Sequence, residues 1–570
     1  MFRDFSGFLL LISTLILFSS EKVHAGGFEW VVHPCGNYWD QNWVLANDPS
    51  GAVYVAGTFN SDSVLIHDTV FYNPFPGPSG DSYLLKYDLN GQFIWAVHLT
   101  GLYDESVGSV SIDQNGVVFI AGYFSGPDMS INGVSVSNFN PQSPDLDCFI
   151  AAIDPSGNLI WLKSFGGNAL DYVSSIKVSA SGDLYGSGQF YSDSLSVDQI
   201  RIQHSGHFGS QRNADMMIWK MNASDGNMTW CRAFGNSQFD DACNALDVNQ
   251  TGQIGFTGFF GSVSIDFDGD VLVNNTIDGT PQGLIAVLDT SGLVTWAKSF
   301  GGMNNDGGID LKYYFNDHLL VYGNFQDDVL VLGTDTLQPK PVGRDLFITK
   351  LDLNGNFLNS ASFGGIHHDL NGGLDYDQQG NILIGGGFGD SLLVFANDTL
   401  RNRFPLGTYN GFVAILDSGF FPLRAFGIDG ASIVSDISVV SSGGVFAAGY
   451  FNSSPLQFGN ISVSKCFPTT LREAFLTLIS DSALSLPDVR LFPEFLVFPV
   501  PTTDRLYFRY SDPKPGSLSV FIQDLFGKTI LQWNAVDFSS GLDLTLLKPG
   551  VYFLTAKADG IHVVRKIIKE

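Results

Sequence analysis

Positively charged residues are scarce in this 570-residue chain. Lys and Arg number 29 against 57 Asp and Glu, and the formal net charge is −28. Nucleic acids and anionic membrane surfaces attract cationic proteins, so this balance argues against both as partners. Charged residues make up only 15% of the chain, whereas aromatic residues reach 13% and Gly numbers 64. Such a composition is typical of a packed, turn-rich, all-β protein and not of a disordered one.

Cysteine is also rare, and its spacing excludes two kinds of site. The five cysteines are Cys35, Cys148, Cys231, Cys243 and Cys466. An odd number leaves at least one unpaired in an exported protein, and the spacing does not say whether any two are bonded. No Cys-x-x-Cys pair exists, so the sequence predicts neither a zinc site nor a redox motif. We therefore expect no cofactor and no metal.

Motifs of common enzymes are missing as well. The chain contains no His-Glu-x-x-His, no Gly-x-Ser-x-Gly and no phosphate-binding loop ending in Gly-Lys-Ser/Thr. His367-His368-Asp369 lies in a Gly-rich stretch and could suggest a metal. Adjacent side chains rarely converge on one ion, however, so a solvated loop is the better interpretation. The sequence names no catalytic residue, and we expect a protein that is not an enzyme.

Long apolar runs are confined to the N-terminus. Residues 1–25 have the pattern of a secretory signal peptide, with Arg3 before an apolar run over 7–18 and a small-residue cleavage site at Ala25. The apolar run is too short to cross a bilayer as a helix. The sequence thus predicts export, and no membrane span once the signal peptide is removed.

What the chain does contain is a repeat. The stretch Trp161-Leu162-Lys163-Ser164-Phe165-Gly166-Gly167 recurs in altered form, and its first position advances by 65, 66, 69, 66 and 63 residues. That first position is occupied by Trp30, Trp95, Trp161, Trp230, Trp296 and Asn359. An acidic residue follows about ten positions later, at Asp40, Asp104, Asp171, Asp240, Asp306 and Asp369. A fixed period of this length predicts a repeated architecture.

Each unit contains four strand patterns, which is the content of one propeller blade. The second is of the type Val53-Tyr54-Val55-Ala56-Gly57-Thr58-Phe59, and a tight Asp-x-x-Gly turn separates the third from the fourth. Seven second strands predict seven blades. The last unit lacks a fourth strand and the first has an extra one over residues 28–35. We expect the N-terminal strand to complete the seventh blade beside residues 474–479, which hides an exposed sheet edge.

The repeated Asp residues have two possible roles. Each could accept backbone N–H bonds from its own loop and fix the turn into the next blade. The seven positions could instead form a ring that gathers a cation such as calcium at the channel mouth. Repetition in every blade favours the structural role, because catalytic or metal-binding carboxylates are normally local and asymmetric. The variable segments after each second strand share one face, and inserts on one face of a repeat array usually mark the binding face.

Residues 26–480 resemble the seven-bladed β-propeller repeats of exported bacterial proteins, carried by the Trp/Phe-Gly-Gly/Asp stretch and the Gly-x-Phe strand end. A linker is expected over 481–494. Residues 495–570 then resemble a type A sorting domain of the type IX secretion system and predict a small β-sandwich. The residues that carry this second resemblance are Pro499, Pro501, Asp504, Gly527, Lys528, Gly550, Tyr552, Lys566 and Lys569.

The two resemblances imply a bacterium of the Bacteroidota type, type IX secretion machinery as partner, and a secreted or cell-surface location. We expect the propeller to bind a glycan or a protein through its insert-bearing face. The alternative is a hydrolase or lyase that acts on polysaccharides over the propeller channel.

Overall fold

A computed structural model describes residues 27–480 and 496–569, apart from residues 78, 143–144, 207–211, 237, 327–328, 339–342, 396–397, 404–407, 442, 469, 499–501, 503–504, 510–518, 524–527, 534–541 and 559–560. The chain divides into two compact units, residues 1–484 and 485–570. The predicted signal peptide and the predicted linker lie outside the described residues. No helix in the described part of the chain is long and apolar enough to cross a membrane.

Seven four-stranded antiparallel sheets make up the first unit over its described residues. We call them blades 1 to 7 and give their strands from the inner to the outer. The strands are Asp40–Asn47, Val53–Phe59, Asp81–Tyr87 and Phe93–Gly101 in blade 1; Glu105–Ile112, Val118–Phe124, Asp147–Ile153 and Leu159–Phe165 in blade 2; Asp171–Val178, Asp183–Phe190, Asp215–Asn222 and Met228–Phe234 in blade 3; and Asp241–Val248, Ile254–Phe260, Gln282–Leu288 and Val294–Phe300 in blade 4.

Blades 5 to 7 continue the same order. Their strands are Gly307–Tyr314, His318–Phe325, Asp345–Asp352 and Phe357–Phe363 in blade 5; Asp369–Tyr376, Ile382–Phe388, Asn410–Leu416 and the first part of Pro422–Val439 in blade 6; and the second part of Pro422–Val439, Val445–Phe451, Glu473–Ile479 and Phe28–Val32 in blade 7. One long strand, Pro422–Val439, thus serves as outer strand of blade 6 and inner strand of blade 7.

The predicted closure of the ring is present. Phe28–Val32 pairs antiparallel with Glu473–Ile479 and supplies the fourth strand of blade 7. It ends at Val32 and not at Cys35, because Cys35–Gly36 turns away to pair with Ser63–Ile66. The inner strand of each blade contacts the inner strands of both neighbouring blades, including blade 7 with blade 1. The sheets therefore form a closed β-propeller.

Buried aromatic and aliphatic side chains fill the spaces between successive blades. Second and third strands are buried along almost their whole length, while outer strands alternate between exposed and half-buried residues. A β-bulge interrupts the pairing of every inner strand with its second strand, as between Asn42 and Val44. A Cβ on Gly57 would lie 2.4 Å from the Gln41 carbonyl oxygen, so this close approach at the bulge requires the glycine of the second strand.

The variable segments form small hairpins, as the sequence predicted. Their strands are Ser63–Ile66 with Thr69–Tyr72, Asp128–Ile131 with Val134–Ser137, Ser194–Val197 with Ile200–Gln203, Ser264–Phe267 with Asp270–Val273, Leu330–Leu332 with Asp335–Leu337, Leu392–Phe395 with Asp398–Arg401, and Leu456–Phe458 with Ile461–Val463. Several hairpins pair with the end of the preceding blade's outer strand, as Met129 does with Gly101. They therefore bridge neighbouring blades.

The second unit contains two antiparallel sheets in its described residues. One joins Leu496–Phe498, Arg505–Arg509 and Leu542–Asp543; the other joins Thr529–Trp533, Ser519–Gln523, Gly550–Ala558 and Ile561–Lys569. Leu506 and Leu542 from the first sheet lie in one buried apolar cluster with Val520, Leu554 and Ile567 from the second. The two sheets therefore share a core.

Candidate binding face and blade junctions

The hairpins, the ends of the second strands and the starts of the inner strands all lie on one face of the propeller. Register places them there, because Asp40 at the start of an inner strand pairs with Phe59 at the end of a second strand. The opposite face carries the Asp-x-x-Gly turns between third and outer strands. We call the first the insert face and the second the turn face.

An aromatic and cationic cluster lies on the insert face where blade 7 meets blade 1. The guanidinium carbon of Arg472 lies 4.3 Å from the Trp39 ring centroid and 3.8 Å from that of Tyr450. Arg472 donates a 2.6 Å hydrogen bond to Gln41 Oε1. Trp39 is 38% exposed and the preceding Tyr38 is 40% exposed. Because aromatic rings flank a fixed cation here, this corner can stack on a flat ligand and bond to its polar groups.

Further aromatic side chains lie on the same face in blades 1 to 3. Phe75 contacts Tyr103 with ring centroids 6.0 Å apart, and both side chains are exposed. Tyr123 and Tyr172 make a second edge-on pair at 6.1 Å. Partly exposed aromatic side chains of this kind are common in ligand-binding surfaces.

The central channel is lined by the inner strands and encloses about 930 Å³. Four of the carboxylates that line it, Asp247, Asp310, Asp375 and Asp436, each accept a hydrogen bond from a backbone N–H of the next blade's inner strand. Lys177 lies 3.3 Å from Asp247. Burial alone would lower the pKa of the channel's Lys312, but the opposite charges of the four aspartates outweigh burial and raise this pKa. The channel carboxylates thus join neighbouring inner strands.

The repeated acidic residues lie at the blade junctions, with a one-residue shift in two blades. Asp40, Asp171, Asp306 and Asp369 occupy this position as predicted from the spacing. In blades 2 and 4 the equivalent residues are Glu105 and Asp241, and not Asp104 and Asp240. At each of the seven junction positions, the backbone N–H donates a hydrogen bond to a carbonyl oxygen of the preceding blade. The residues at these positions are Asp40, Glu105, Asp171, Asp241, Asp306, Asp369 and Ser432. All seven side chains are at most 3% exposed.

Asp104 and Asp240 lie one residue before the junction positions and also bond to the preceding blade. Asp104 accepts a hydrogen bond from Gly80 N–H, and Asp240 accepts one from Ala214 N–H. In blade 2, Glu105 keeps the common spacing of ten residues from Trp95, and Asp104 lies one residue before it. In blade 4 the loop is one residue longer, so the junction residue Asp241 lies eleven residues after Trp230.

The five junction aspartates accept hydrogen bonds from their surroundings. Asp369 accepts from Gly365 N–H at 3.2 Å and Asp306 from Gly302 N–H at 2.9 Å, both within the residue's own loop. Asp171 accepts from Ser192 Oγ at 2.6 Å. These contacts fit the structural role expected for the repeated Asp.

A second acid faces the first at five of the seven junctions. It begins the third strand of the preceding blade, and the pairs are Asp40 with Glu473, Glu105 with Asp81, Asp171 with Asp147, Asp241 with Asp215, and Asp369 with Asp345. At the other two junctions the third strand begins with Gln282 or Asn410. Neutral amides therefore replace one acid of the pair there.

Burial, together with a neighbouring acid, raises the pKa of these carboxyl groups. The pKa of Asp40, Asp147, Asp171, Asp241 and Asp369 is raised to about 7. The same two causes raise the pKa of Glu105 to about 10. A raised carboxyl pKa can mark a catalytic acid, but these side chains are out of reach of solvent and of any sugar.

The repeated Trp residues link each blade to the next on the turn face. Trp30, Trp95, Trp161, Trp230 and Trp296 each donate an Nε1–H bond of 2.9 to 3.3 Å to a carbonyl in the third-to-outer-strand turn of the following blade. A Cβ on Gly157 would lie 3.0 Å from the Trp95 ring, and this glycine has φ +90°. Trp and the turn glycine are therefore one packing unit.

The sorting-motif residues are described only in part. Gly550 begins a strand, and the Tyr552 hydroxyl donates to Lys548 O at 3.0 Å. Lys566 and Lys569 belong to the last strand, Lys569 is buried, and Lys528 precedes Thr529–Trp533. Pro499, Pro501, Asp504 and Gly527 lie outside the described residues, as does the predicted cleavage site at Ala25.

No pattern in the sequence predicted two features of the structure. Cys35 and Cys466 form a disulfide bond across 431 residues, and Cys148, Cys231 and Cys243 are free. Trp39 lies more than 400 residues from Tyr450 and Arg472, which are neighbours in blade 7, and no other blade among the described residues repeats the combination of the three. Only the pairing of the N-terminal strand with blade 7 brings the two sets together.

Comparison with known proteins identifies the C-terminal part. Residues 496–570 match the family described as a secretion system C-terminal sorting domain. An uncharacterized WD repeat-containing protein of Acanthamoeba polyphaga mimivirus is 23% identical over 34% of this chain and 15% of its own length. Regulatory protein FlaEY of Caulobacter vibrioides is 25% identical over 46% of this chain and 30% of its own. The chain thus spans less than a third of either relative.

A crystal structure of a Dyadobacter fermentans protein of unknown function covers 79% of this chain at 10% identity, with a TM-score of 0.32. By the order and closure of its own strands the protein is an all-β propeller protein, and the family match gives it a sorting domain of type IX secretion at its C-terminus. That domain directs the chain to the extracellular or cell-surface space.

Proposed function

We propose that the exported propeller is a non-enzymatic binding protein that holds a glycan on its insert face. The observation that most directly supports this proposal is the cluster of Trp39, Arg472 and Tyr450, where two aromatic rings flank a guanidinium at 4.3 and 3.8 Å. Sugar rings stack their C–H faces on aromatic side chains, and a fixed guanidinium can bond to sugar hydroxyl or carboxyl groups.

The charge of the protein adds to this argument. Arg472 is a half-buried cation on a chain of net charge −28, and no carboxylate of the described residues lies within ion-pair distance of it. Its bonded partner is the neutral Gln41. Charge remains available to a ligand at this corner, which favours a glycan with acidic groups over a neutral one.

The alternative hydrolase or lyase would need an accessible acid beside the ligand. The four channel aspartates accept backbone N–H bonds from neighbouring strands, and the junction acids are buried. Neither set has the exposed carboxyl pair that glycoside cleavage uses. These contacts favour binding over turnover.

A glycan array probed with the mature protein tests the proposal. Trp39→Ala and Arg472→Ala should each weaken binding to the array hits by about tenfold or more, since each removes a stacking or charged contact. Phe421→Ala is the matched control, because Phe421 is an aromatic residue 48% exposed that follows a turn-face turn. Equal loss in the control, or binding that survives both insert-face changes, would disprove the site.

Each array hit is then incubated with the protein and analysed for cleavage. Unchanged glycan supports a binding protein, whereas cleavage products would establish the hydrolase or lyase. If the array gives no hits and a protein ligand is found to bind at the same residues, the site recognises a protein and not a glycan.

A further inference from the structure

Potential metal ligands come together beside the Cys35–Cys466 disulfide. Among the described residues, the group of His, Cys, Asp or Glu whose ligand atoms converge is His33, Cys35 and Cys466, with those atoms within 4.8 Å of one another. The two sulfurs are bonded to each other in this structure. The imidazole nitrogen Nδ1 of His33 lies 3.7 Å from Cys466 Sγ.

A further acidic side chain, Glu473, lies beside His33 but outside this convergent group. Glu473 Oε2 lies 3.4 Å from His33 Nδ1, and this oxygen has no hydrogen-bond partner although the side chain is fully buried. The other oxygen, Oε1, accepts a 2.7 Å hydrogen bond from Cys466 N–H, which fixes the carboxylate in place. A buried carboxylate oxygen is costly to leave unpaired, so its orientation toward the imidazole suggests a missing partner.

We propose that the reduced form of this site binds one zinc ion through Cys35, Cys466 and His33, with Glu473, 3.4 Å from the imidazole, as the nearest candidate for the fourth ligand. Neighbouring ligand atoms around a tetrahedral zinc lie roughly 3.3 to 3.8 Å apart, given bond lengths near 2.3 Å to sulfur and near 2.0 Å to nitrogen and oxygen. The distances of 3.7 and 3.4 Å from His33 Nδ1 fall in that range. Two thiolates and an imidazole favour zinc over calcium or magnesium.

The exchange between the two forms balances as follows. A dithiol reductant supplies two electrons and two protons, which cleave the S–S bond to two thiols while the reductant becomes a disulfide. Zinc binding then displaces the two thiol protons, and both sulfurs bind as thiolates. In the reverse step a disulfide oxidant accepts two electrons and is reduced to a dithiol, the Cys35–Cys466 bond re-forms, and the ion loses its two thiolate ligands and is released.

Both states would hold the same two parts of the fold together. His33 and Cys35 follow the N-terminal strand, whereas Cys466 and Glu473 belong to the last loop and third strand of blade 7. A metal in the reduced protein would therefore keep the propeller closed where the disulfide closes it in an oxidising environment.

Cobalt titration of the full mature chain tests the proposal, with Co²⁺ as a spectroscopic substitute for Zn²⁺. The reduced protein should bind one equivalent, with thiolate-to-cobalt absorption that added Zn²⁺ removes, and the oxidised protein should show none. Cys35→Ser should abolish the thiolate absorption or halve it, and His33→Ala should weaken binding by at least about tenfold. A reduced protein that binds no cobalt, or a signal that survives Cys35→Ser unchanged, refutes the site.

Two further variants separate ligation from folding. Glu473→Gln keeps the fold, because Gln282 is the natural residue at the same position in blade 4, and it should still weaken zinc binding. Cys231→Ser changes a free, half-buried cysteine elsewhere and should leave binding unaltered. Alkylation followed by mass spectrometry gives an independent readout: zinc should protect Cys35 and Cys466 in the reduced protein but not Cys231. Equal labelling of all three with and without zinc would contradict the proposal.

Discussion

Asn359 donates a 2.8 Å hydrogen bond from Nδ2 to the carbonyl oxygen of Gly419 in the turn of the next blade. Five tryptophans make the same contact elsewhere with Nε1. The residue after Gly419 is Phe420, which has φ +67° at the position that glycine holds in the other turns. Phe420 is 3% exposed and lies in one apolar cluster with Leu320 of blade 5. The phenyl ring thus fills the space that a tryptophan ring fills in the other blades.

Because Phe420 fills the space of the tryptophan ring that is missing at position 359, substitutions at these two positions should have coupled effects on stability. Asn359→Trp alone should destabilise the protein by about 1–3 kcal/mol, because the new ring overpacks the site that Phe420 fills. Adding Phe420→Gly should recover most of that loss and also relieve the unfavourable left-handed backbone at 420. Chemical denaturation of both single variants and the double variant measures the coupling. Additive losses would show that the two positions are independent.

The disulfide predicts a measurable contribution to ring closure. Reduction in the presence of a metal chelator should lower the free energy of unfolding by roughly 2–5 kcal/mol, since the bond closes a very long loop. Cys466→Ser should reproduce the loss without reductant. Cys148→Ser changes a free cysteine, so this control variant should still lose stability when the protein is reduced. A Cys466→Ser variant as stable as the oxidised parent would show that β-pairing alone closes the ring.

The paired junction acids predict that stability falls as pH rises. The pKa of Asp147 and Asp171 is about 7 in the folded protein and 3.8 as an ordinary side chain. Their contribution is therefore complete below the unfolded value and is lost as pH rises through the folded value. The melting temperature should be higher near pH 5 than near pH 8, and each titrating group can change stability by up to about 1.4 kcal/mol per pH unit.

Asp147→Asn isolates one junction, because Asn410 is the natural residue at the equivalent place in blade 6. It should reduce the loss of stability between about pH 5 and about pH 8. Asp154→Asn is the control with the opposite sign: hydrogen bonds from Asn158 lower the pKa of this exposed turn aspartate, so its contribution is lost on acidification. An unchanged pH profile in Asp147→Asn would assign the dependence to other groups.

The period and the strand pattern predicted most of the propeller, because each blade repeats the same packing and the same turns. The spacing could not predict that Asp241 and not Asp240 reaches the junction, since the loop before Asp241 is one residue longer than in blades 1, 2, 3, 5 and 6. In blade 2, Glu105 keeps the common spacing of ten residues, but the pattern of repeated aspartates pointed to Asp104. The spacing also could not explain why Arg424, and not Trp, stands at the equivalent position of the outer strand of blade 6. The structure supplies the reason: the outer strand of blade 7 comes from the N-terminus, so blade 7 has no third-to-outer-strand turn for a tryptophan to contact.

The cluster of Trp39, Arg472 and Tyr450 was harder to predict for a different physical reason. Repeats report what every blade shares, whereas Trp39 meets Arg472 only because the ring closes between the two ends of the propeller. Contacts between residues more than 400 positions apart leave no local pattern. The disulfide partner of Cys35 was hidden in the same way.

The sorting domain predicts a change of location on truncation. Removing residues 495–570 should leave a folded propeller that accumulates in the periplasm, because residues 496–570 match the sorting-domain family and the propeller forms its own compact unit. Cell fractionation with an antibody to the propeller measures this. Full yield of the truncated protein outside the cell would show that the signal for export lies elsewhere.

The final prediction separates the two roles of the repeated aspartate. Asp306 accepts hydrogen bonds from Gly302 N–H at 2.9 Å through Oδ2 and from Gln326 N–H at 3.0 Å through Oδ1. Calcium prefers six to eight oxygen ligands, whereas both oxygens of this buried carboxylate already accept backbone N–H bonds. Asp306→Ala should therefore lower the melting temperature by the same amount with calcium and with a chelator, and calcium should not shift the melting temperature of the unmodified protein. A rise of the melting temperature on adding calcium that Asp306→Ala abolishes would establish a cation site instead.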